Sequence, residues 1–435
     1  MKKLSANKKL IIYKVAVIAL ALLFMFYPGV ADKQPQIDSR VMVTSIGFDD
    51  YEDGKLMLTA VVTVPASGGT SGKETTASAD GDTIGESIAN LSRALGKNAT
   101  LSHCGMVAFG RELCMRGIER EISYLVASGL ISDGASVIAA DGKAQELIDT
   151  AAGLSEAAAF SLGSFLSFAV ENAQIPMMSL LRFASASESK GKSAYMPIIK
   201  MGPGGDQSGK GEQGGEQGGS QGGGQSGGQG GEQGEGSGGS GESGQSGGGQ
   251  GQSSQGEEAQ ILSSDKTLIF KDYRAECEFD KDATMSITWQ DSQSDRGLIK
   301  LDKFEFKGED LGPFTFRMKK KGVKIKAKWN GDSPAVRVCV DAQLEIEDSH
   351  RLSEKQQEGY TEQELMMQMR KSLSEKFDKE ILTGWEKAVE NKVDPFKFGY
   401  NLYKKNPKTY ESVFAADDDV FDVLRPETEI KLLII

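Results

Sequence analysis

Alternation with a period of two opens the foldable part of the chain. Val41, Val43 and Ser45 face one way and Met42, Thr44 and Ile46 the other, and after Asp53-Gly54 the run Leu56, Leu58, Ala60, Val62 and Val64 repeats the pattern. This predicts a β-hairpin closed by an acidic loop. A helical period follows: Ile84, Ile88, Leu91 and Leu95 share one face, and Thr83 with Glu86 supplies a T-x-x-E capping box at its start. Strand and helix then alternate, with a strand at Cys104 to Phe109, a helix at Glu112 to Val126, a strand at Ala135 to Ala140 and a helix from Lys143, which is a β-α-β-α layer. Residues 155 to 186, rich in Ala, Phe, Leu and Met, predict two helices, the second starting near Pro176 at a first-turn position, before a strand at Tyr195 to Ile199.

From residue 202 to 258 the pattern stops. This Gly/Gln/Ser tract has no aromatic and almost no aliphatic residue, so it cannot bury enough surface to offset its ordering entropy and is expected to be disordered. Thr267 to Phe270 and Ala275 to Phe279 read as a hairpin continuing the sheet that Ile198 began, which makes the tract an insertion within one domain. A long loop of this kind adds only about 0.6 kcal/mol of closure cost per doubling of length.

Beyond Arg296-Gly297 the chain reads as β-structure with Lys-rich edges. Val336, Val338, Val340, Ala342, Leu344 and Ile346 face one way and Arg337, Cys339, Asp341, Gln343 and Glu345 the other, a strand with one buried and one wet face. Thr361 and Glu364 cap a long helix whose apolar positions are Leu365, Met369, Leu373, Phe377, Ile381, Trp385 and Val389. Spacing by four overshoots each turn by about 40°, so the stripe winds and suits a curved sheet better than a straight partner helix. Glu429 to Ile435 predicts a final strand on the same sheet.

The expected fold is therefore α+β and multi-domain, with mixed sheets packed by helices and a long C-terminal helix on a sheet. The expected divisions are residues 1–31 as cytoplasmic tail and membrane segment, 32–300 as an N-terminal and middle α/β region containing the insertion, and 301–435 as a C-terminal α+β domain.

The first of these rests on hydropathy. Lys2, Lys3, Lys8 and Lys9 precede the run from Leu10 to Tyr27, whose only charge is Lys14, and its length as a helix, about 27 Å, approaches the hydrocarbon thickness. With positive charge inside, residue 30 onward lies outside the cytoplasm. A retained single-pass anchor is the preferred reading, and a signal peptide cleaved after Gly29-Val30-Ala31 is the alternative. Lipid anchoring needs a cysteine just after the run, and none occurs before Cys104.

Composition narrows the chemistry. The net charge of −12, with no basic stretch interleaved with aromatics beyond the N-terminus, argues against a nucleic-acid surface. Four scattered cysteines without a CxxC pair and two histidines, His103 and His350, supply neither a zinc knuckle nor a stock of general bases, so no cofactor or metal is expected. The cysteines read as small buried hydrophobes, with a Cys104 to Cys114 bridge as the oxidised alternative. His103 reads as a satisfied structural residue. Asp49, Asp50, Glu52 and Asp53 lack the calcium-loop pattern and read as a solvated turn. Phosphate-loop, G-x-S-x-G and H-E-x-x-H patterns are absent, so the chain does not read as an enzyme.

The order of elements resembles a family. Leu101-Ser102-His103 before a strand, Gly110-Arg111-Glu112-Leu113 and Arg116-Gly117-Ile118 resemble the N-terminal part of the C subunits of spore germination receptors, the Ger(x)C family. Thr267 to Asp272 followed by Arg296-Gly297 is similar to the family's central hairpin, and Asp394 to Pro407 is similar to its D-x-F-G-F-G … P-x-W signature. Two departures stand out: the family's lipid-modified cysteine is missing, and Tyr410 stands near where a tryptophan is expected. The resemblance implies a non-enzymatic subunit on the outer face of the spore inner membrane or cell membrane, acting with integral-membrane A and B subunits to trigger germination by small nutrients. Within it, Asp394, Phe396, Phe398, Gly399, Tyr403 and Pro407 are candidate partner-docking residues, and Leu10 and Tyr27 bound the anchor. The competing reading of the same stretch is a core-plugging connection between helix and strand, and the competing function is a membrane-anchored solute-binding or adhesion protein.

Overall fold

A nine-stranded mixed sheet carries the N-terminal part of the chain. The computed structural model describes residues 13–20, 40–64, 73–158, 162–203, 260–291, 293–347, 361–414 and 419–435. Its strands are β1 (Arg40–Asp50), β2 (Leu56–Val64), β3 (Lys73–Gly81), β4 (Asn98–Thr100), β5 (Met106–Phe109), β6 (Ser136–Ala140), β7 (Ser193–Pro203), β8 (Gln260–Lys271) and β9 (Arg274–Phe279). They lie in the order β3-β2-β1-β5-β6-β7-β8-β9, with β4 against β1. The middle pairs β1–β5, β5–β6 and β6–β7 are parallel, while β1–β2, β2–β3 and β8–β9 are antiparallel.

The central strands are short and apolar because both faces are covered. Val107, Phe109, Val137 and Ala139 enter one core, and Met106, Ala108, Ile138 and Ala140 enter a second on the opposite face. Helices α1 (Ile84–Leu95), α2 (Arg111–Arg116), α3 (Glu119–Ser128) and α6 (Leu180–Ser187) contribute to the first core. Helices α4 (Ala144–Ala158) and α5 (Leu162–Glu171) cover the second. Strands β7 and β8, which bracket the Gly/Gln/Ser tract, are neighbours, and Ser264 donates its hydroxyl to the Ile198 carbonyl across them at 2.7 Å. Residues 204–259 lie outside the described residues.

The C-terminal sheet runs β10 (Gly297–Leu301), β13 (Phe314–Asn330), β14 (Ser333–Ile346) and β15 (Glu427–Ile434), with the small hairpin β11 (Glu305–Phe306) and β12 (Glu309–Asp310) beside it in sequence. β15 joins β14 in parallel. The long helix α8 (Glu362–Glu390) begins at a full Thr361/Glu364 capping box, and Leu365, Met369, Leu373, Phe377, Ile381 and Trp385 are all buried. It touches β15 but packs more extensively on helix α7 (Lys281–Gln290), an element the sequence did not predict. The described residues up to Met201 and from Leu262 onward form one compact unit.

Helix α7 escaped notice because its buried face carries hydroxyls. Thr284, Ser286 and Thr288 are buried, and each donates to a carbonyl of the same or the preceding element, Thr284 to Phe279, Ser286 to Ala283 and Thr288 to Thr284. Polar letters thus behave as core once their hydrogen bonds close locally. Lys321 is a second such case: inside a Lys-rich strand it points inward, donates to the Thr288 carbonyl at 2.7 Å, and burial pulls its ammonium down to about 8.

Other expectations are corrected. Asp49 is buried, not solvated: its carboxylate accepts from the Ala144 and Gln145 amides, both at 2.8 Å, and so caps α4, while burial raises its pKa. The helix predicted over Glu112 to Val126 is two, broken at Gly117, whose φ of 115° no β-carbon tolerates well. Pro176 lies in a connection, and α6 starts at Ser179, whose hydroxyl accepts from the Arg182 amide. His103 is exposed in a turn, so it is not a packed structural residue. All four cysteines are free thiols. Residues 13–20 are helical and exposed; the rest of the span from Leu10 to Tyr27 lies outside the described residues, among which no helix is long and apolar enough to cross a membrane.

Candidate functional site

The stretch from Asp394 to Pro407 follows α8 directly and folds into two short helices, α9 (Phe398–Lys405) and α10 (Pro407–Val413), ahead of α11 (Asp419–Val423) and β15. Backbone at Lys392 and Lys397 takes positive φ, 52° and 60°, which turns the chain twice within six residues and swings Asp394 under the start of α9. There its two carboxylate oxygens accept from the Phe398 amide at 3.0 Å and the Gly399 amide at 2.8 Å. Those amides have no partner within the helix, so the carboxyl oxygens satisfy them.

The other side of Asp394 is held by the N-terminal region. Its own amide donates to the Ser193 hydroxyl at 2.8 Å, and Gly191, at φ 86°, comes so near that an added β-carbon would lie 3.3 Å from the Asp394 β-carbon. Lys271 donates to the Lys392 carbonyl at 3.0 Å, tying the β8–β9 turn to the same connection. Ser193, Gly191 and Lys271 had no signal in the sequence, since they lie far from Asp394 along the chain and bind largely through backbone and a single hydroxyl.

Aromatic side chains fill the space beneath. Phe398 lies 5.1 Å from Trp385 and 5.3 Å from Phe396, centroid to centroid, and Trp385 also meets Phe421 at 5.8 Å. The Trp385 indole donates to the Leu424 carbonyl, so its polar edge is satisfied inside the core. A second group joins Tyr403 to Tyr410 at 5.6 Å and Tyr410 to Phe414 at 4.9 Å, with the Lys190 ammonium over both tyrosine rings. Gly399 is the contact point between the groups, because a β-carbon there would sit 3.3 Å from both Asp394 and the Tyr410 hydroxyl.

Of the residues predicted to dock a partner, Asp394, Phe396, Phe398 and Gly399 are thus buried in the chain's own fold; Tyr403 is half-buried and Pro407 exposed at the start of α10. The stretch docks in cis, on the turn around Gly191, and only its last two members offer surface. Chemically it positions: both Asp394 oxygens are occupied by backbone donors.

Burial pushes the Asp394 carboxyl up to about 7 against the pull of the Phe398 and Gly399 amides and of Lys397. An unfolded aspartate titrates near about 3.9. The folded chain therefore holds a proton on Asp394 that the unfolded chain lacks between those values. Its contribution to stability is fully present below about pH 4 and is lost as pH rises through about 7. The urea midpoint is expected to fall from pH 5 to pH 8, and Asp394→Asn to flatten that fall; parallel profiles for the two proteins would show that Asp394 does not titrate there.

A cavity of about 960 Å³ lies between the sheet and helices α4 and α5, lined by Ser45, Met106, Ala151, Leu166, Ser167 and Glu171 among others. Among the described residues no group of three His, Cys, Asp or Glu side chains could hold a metal ion.

Residues 32–201 match the family described as "Spore germination protein N-terminal domain", and residues 265–424 match "Spore germination B3/ GerAC like, C-terminal". The chain belongs to the Ger(x)C family. In this Ger(x)C chain the first match stops at Met201 and the second begins at Asp265, so the Gly/Gln/Ser tract falls between them. The second match takes in α8 and the whole of the Asp394 to Pro407 stretch. A crystal structure of the GerBC protein is similar in fold, with 15% sequence identity, a TM-score of 0.48, and coverage of 90% of this chain and 96% of that one. No curated protein matches the chain by sequence.

Proposed function

We propose that this protein is the C subunit of a spore nutrient germinant receptor, a non-enzymatic component held on the outer face of the membrane beside integral-membrane A and B subunits. The observation that carries this reading is the succession of both family domains, in order, over residues 32–201 and 265–424. The geometry around Asp394 supports an assembly role, since it uses a buried carboxyl group and aromatic packing to fix the shape of an exposed connection. The anchor is the Lys-flanked run from Leu10 to Tyr27, retained on the mature chain.

Deleting the protein is expected to abolish one nutrient-triggered germination response while leaving triggers that bypass nutrient receptors intact. The membrane-bound chain should keep Met1 to Ala31 and co-purify in detergent with multi-spanning partners. Normal responses to every nutrient, with no membrane partner recovered, would overturn the reading in favour of solute binding, for which the cavity beside α4 and α5 is the site to test.

A further inference from the structure

The exposed lysines of this acidic chain are unevenly paired. On the outer face of the C-terminal sheet, Arg337 meets Glu427 at 2.7 Å and Lys431 meets Glu429 at 2.8 Å, so the β14–β15 side is internally neutralised. Outward on β13, Lys319 pairs with Glu345 at 2.5 Å and Lys326 reaches Glu429 at 3.7 Å, but three further lysines are not matched in this way. Lys320, Lys324 and Lys328 face Gln343, Cys339 and Ala335 across the ladder, are exposed, and form no ion pair among the described residues. β10 pairs with β13 only from Phe314 to Met318, so along the rest of β13 no described strand covers that edge.

α9 carries a second set of lysines along the same open edge, on the other face of the sheet. Trp329, on the opposite face of β13 from Lys324 and Lys328, donates its indole N–H to the Leu402 carbonyl at 3.1 Å, and its ring lies 5.9 Å from Phe414. This seats α9 along the far half of β13. Lys404 and Lys405 in the last turn of α9, and Lys408 in α10, are exposed and likewise form no ion pair among the described residues. From Lys392 to Lys408 the sole acidic residue is Asp394, which is buried. The exposed acids nearby are Asp332 in the hairpin turn and Glu411, one turn after Lys408 in α10.

We propose that this lysine-bearing end of the C-terminal region rests on the anionic headgroups of the bilayer leaflet that holds the anchor, and so sets how the subunit stands on the membrane. The inference rests on the receptor-subunit reading for the tether and adds the orientation. Charge complementarity selects the occupant. A chain of net charge −12 is repelled by an anionic surface from every acidic side, so a tethered copy turns its cationic end inward. The groups are lysines, compact point charges on flexible stems spread over an open edge and two short helices. That suits a diffuse plane of charge, whereas a single phosphate or carboxylate calls for a concave, bidentate site of arginines.

The test uses the full chain in nanodiscs of phosphatidylcholine alone or mixed with phosphatidylglycerol, with amine-reactive labelling read by mass spectrometry. Lys404, Lys405 and Lys408 are expected to label several-fold more slowly in the anionic discs, and high salt should remove the difference because headgroup attraction is screened. Lys431, on the neutralised side, should label alike in both. The combined Lys320→Glu, Lys324→Glu and Lys328→Glu variant, with an unchanged melt, should erase the protection of Lys404 and Lys405. Equal labelling in the two lipids overturns the proposal, as does protection that ignores salt or that appears only when A and B subunits are added. A chain that fails to enter neutral discs at all removes the tether and sinks the receptor reading along with this one, which separates the two failures.

Discussion

Truncation of Phe398 to alanine is expected to cost about 3–5 kcal/mol of folding stability, the range for removing a fully buried aromatic ring. Phe398 is 0% exposed and packs against Trp385 and Phe396 at the point where α9 leaves α8. Its loss opens a void between three elements that are also pinned by Asp394, so little collapse can fill it. The neighbouring Pro407→Ala, at an exposed position, is expected to change stability by no more than about 0.5 kcal/mol. Urea unfolding of the two variants decides between core and surface roles. A Phe398→Ala protein that melts like the parent but loses membrane partners would show that the ring binds a partner and that its burial here is incidental.

Gly384→Ala is expected to destabilise by about 1–3 kcal/mol, although alanine ordinarily strengthens a helix. The sign is set by the α7–α8 contact: a β-carbon on Gly384 would lie 1.8 Å from the Ser286 hydroxyl oxygen and 2.3 Å from its β-carbon. Rotating the hydroxyl relieves only the first clash, so the helices must separate. That separation would strain the Trp289–Phe377 contact, now 4.3 Å between ring centroids. Adding Ser286→Gly removes both offending atoms, so the double-mutant cycle should show a favourable coupling of at least about 1 kcal/mol. Additive effects in the cycle would mean that α7 and α8 are not packed as described.

Much of this fold could be read from periodicity alone. The β1–β2 hairpin, the capped helix at Thr83, the parallel strands at Met106 and Ser136, and the capped α8 all announce themselves by a regular apolar face. Legibility failed where a polar residue was buried with its hydrogen bonds satisfied. Helix α7 hid behind Thr284, Ser286 and Thr288, Asp49 looked like loop solvent until α4 gave it two amides to accept from, and Lys321 looked like one more edge lysine. The candidate site was legible as a motif but not as a geometry. Asp394, Phe396 and Phe398 stood out in the sequence, but their turn inward depends on Gly191 and Ser193, some two hundred residues earlier, and on positive φ at two lysines.

The parallel pairing of β15 with β14 also fixes an order in time. β14 is made early, but the strand that completes its ladder follows α8 and three short helices in the chain. Until those segments have emerged, one side of β14 stands open and Trp385 lacks both Phe421 and the Leu424 carbonyl. The nine-stranded sheet, finished by Phe279, needs none of this and can form first. The aromatic box and the Asp394 clasp are therefore closing steps, and a chain interrupted before β15 would carry a folded N-terminal sheet joined to a C-terminal region with an unpaired strand edge.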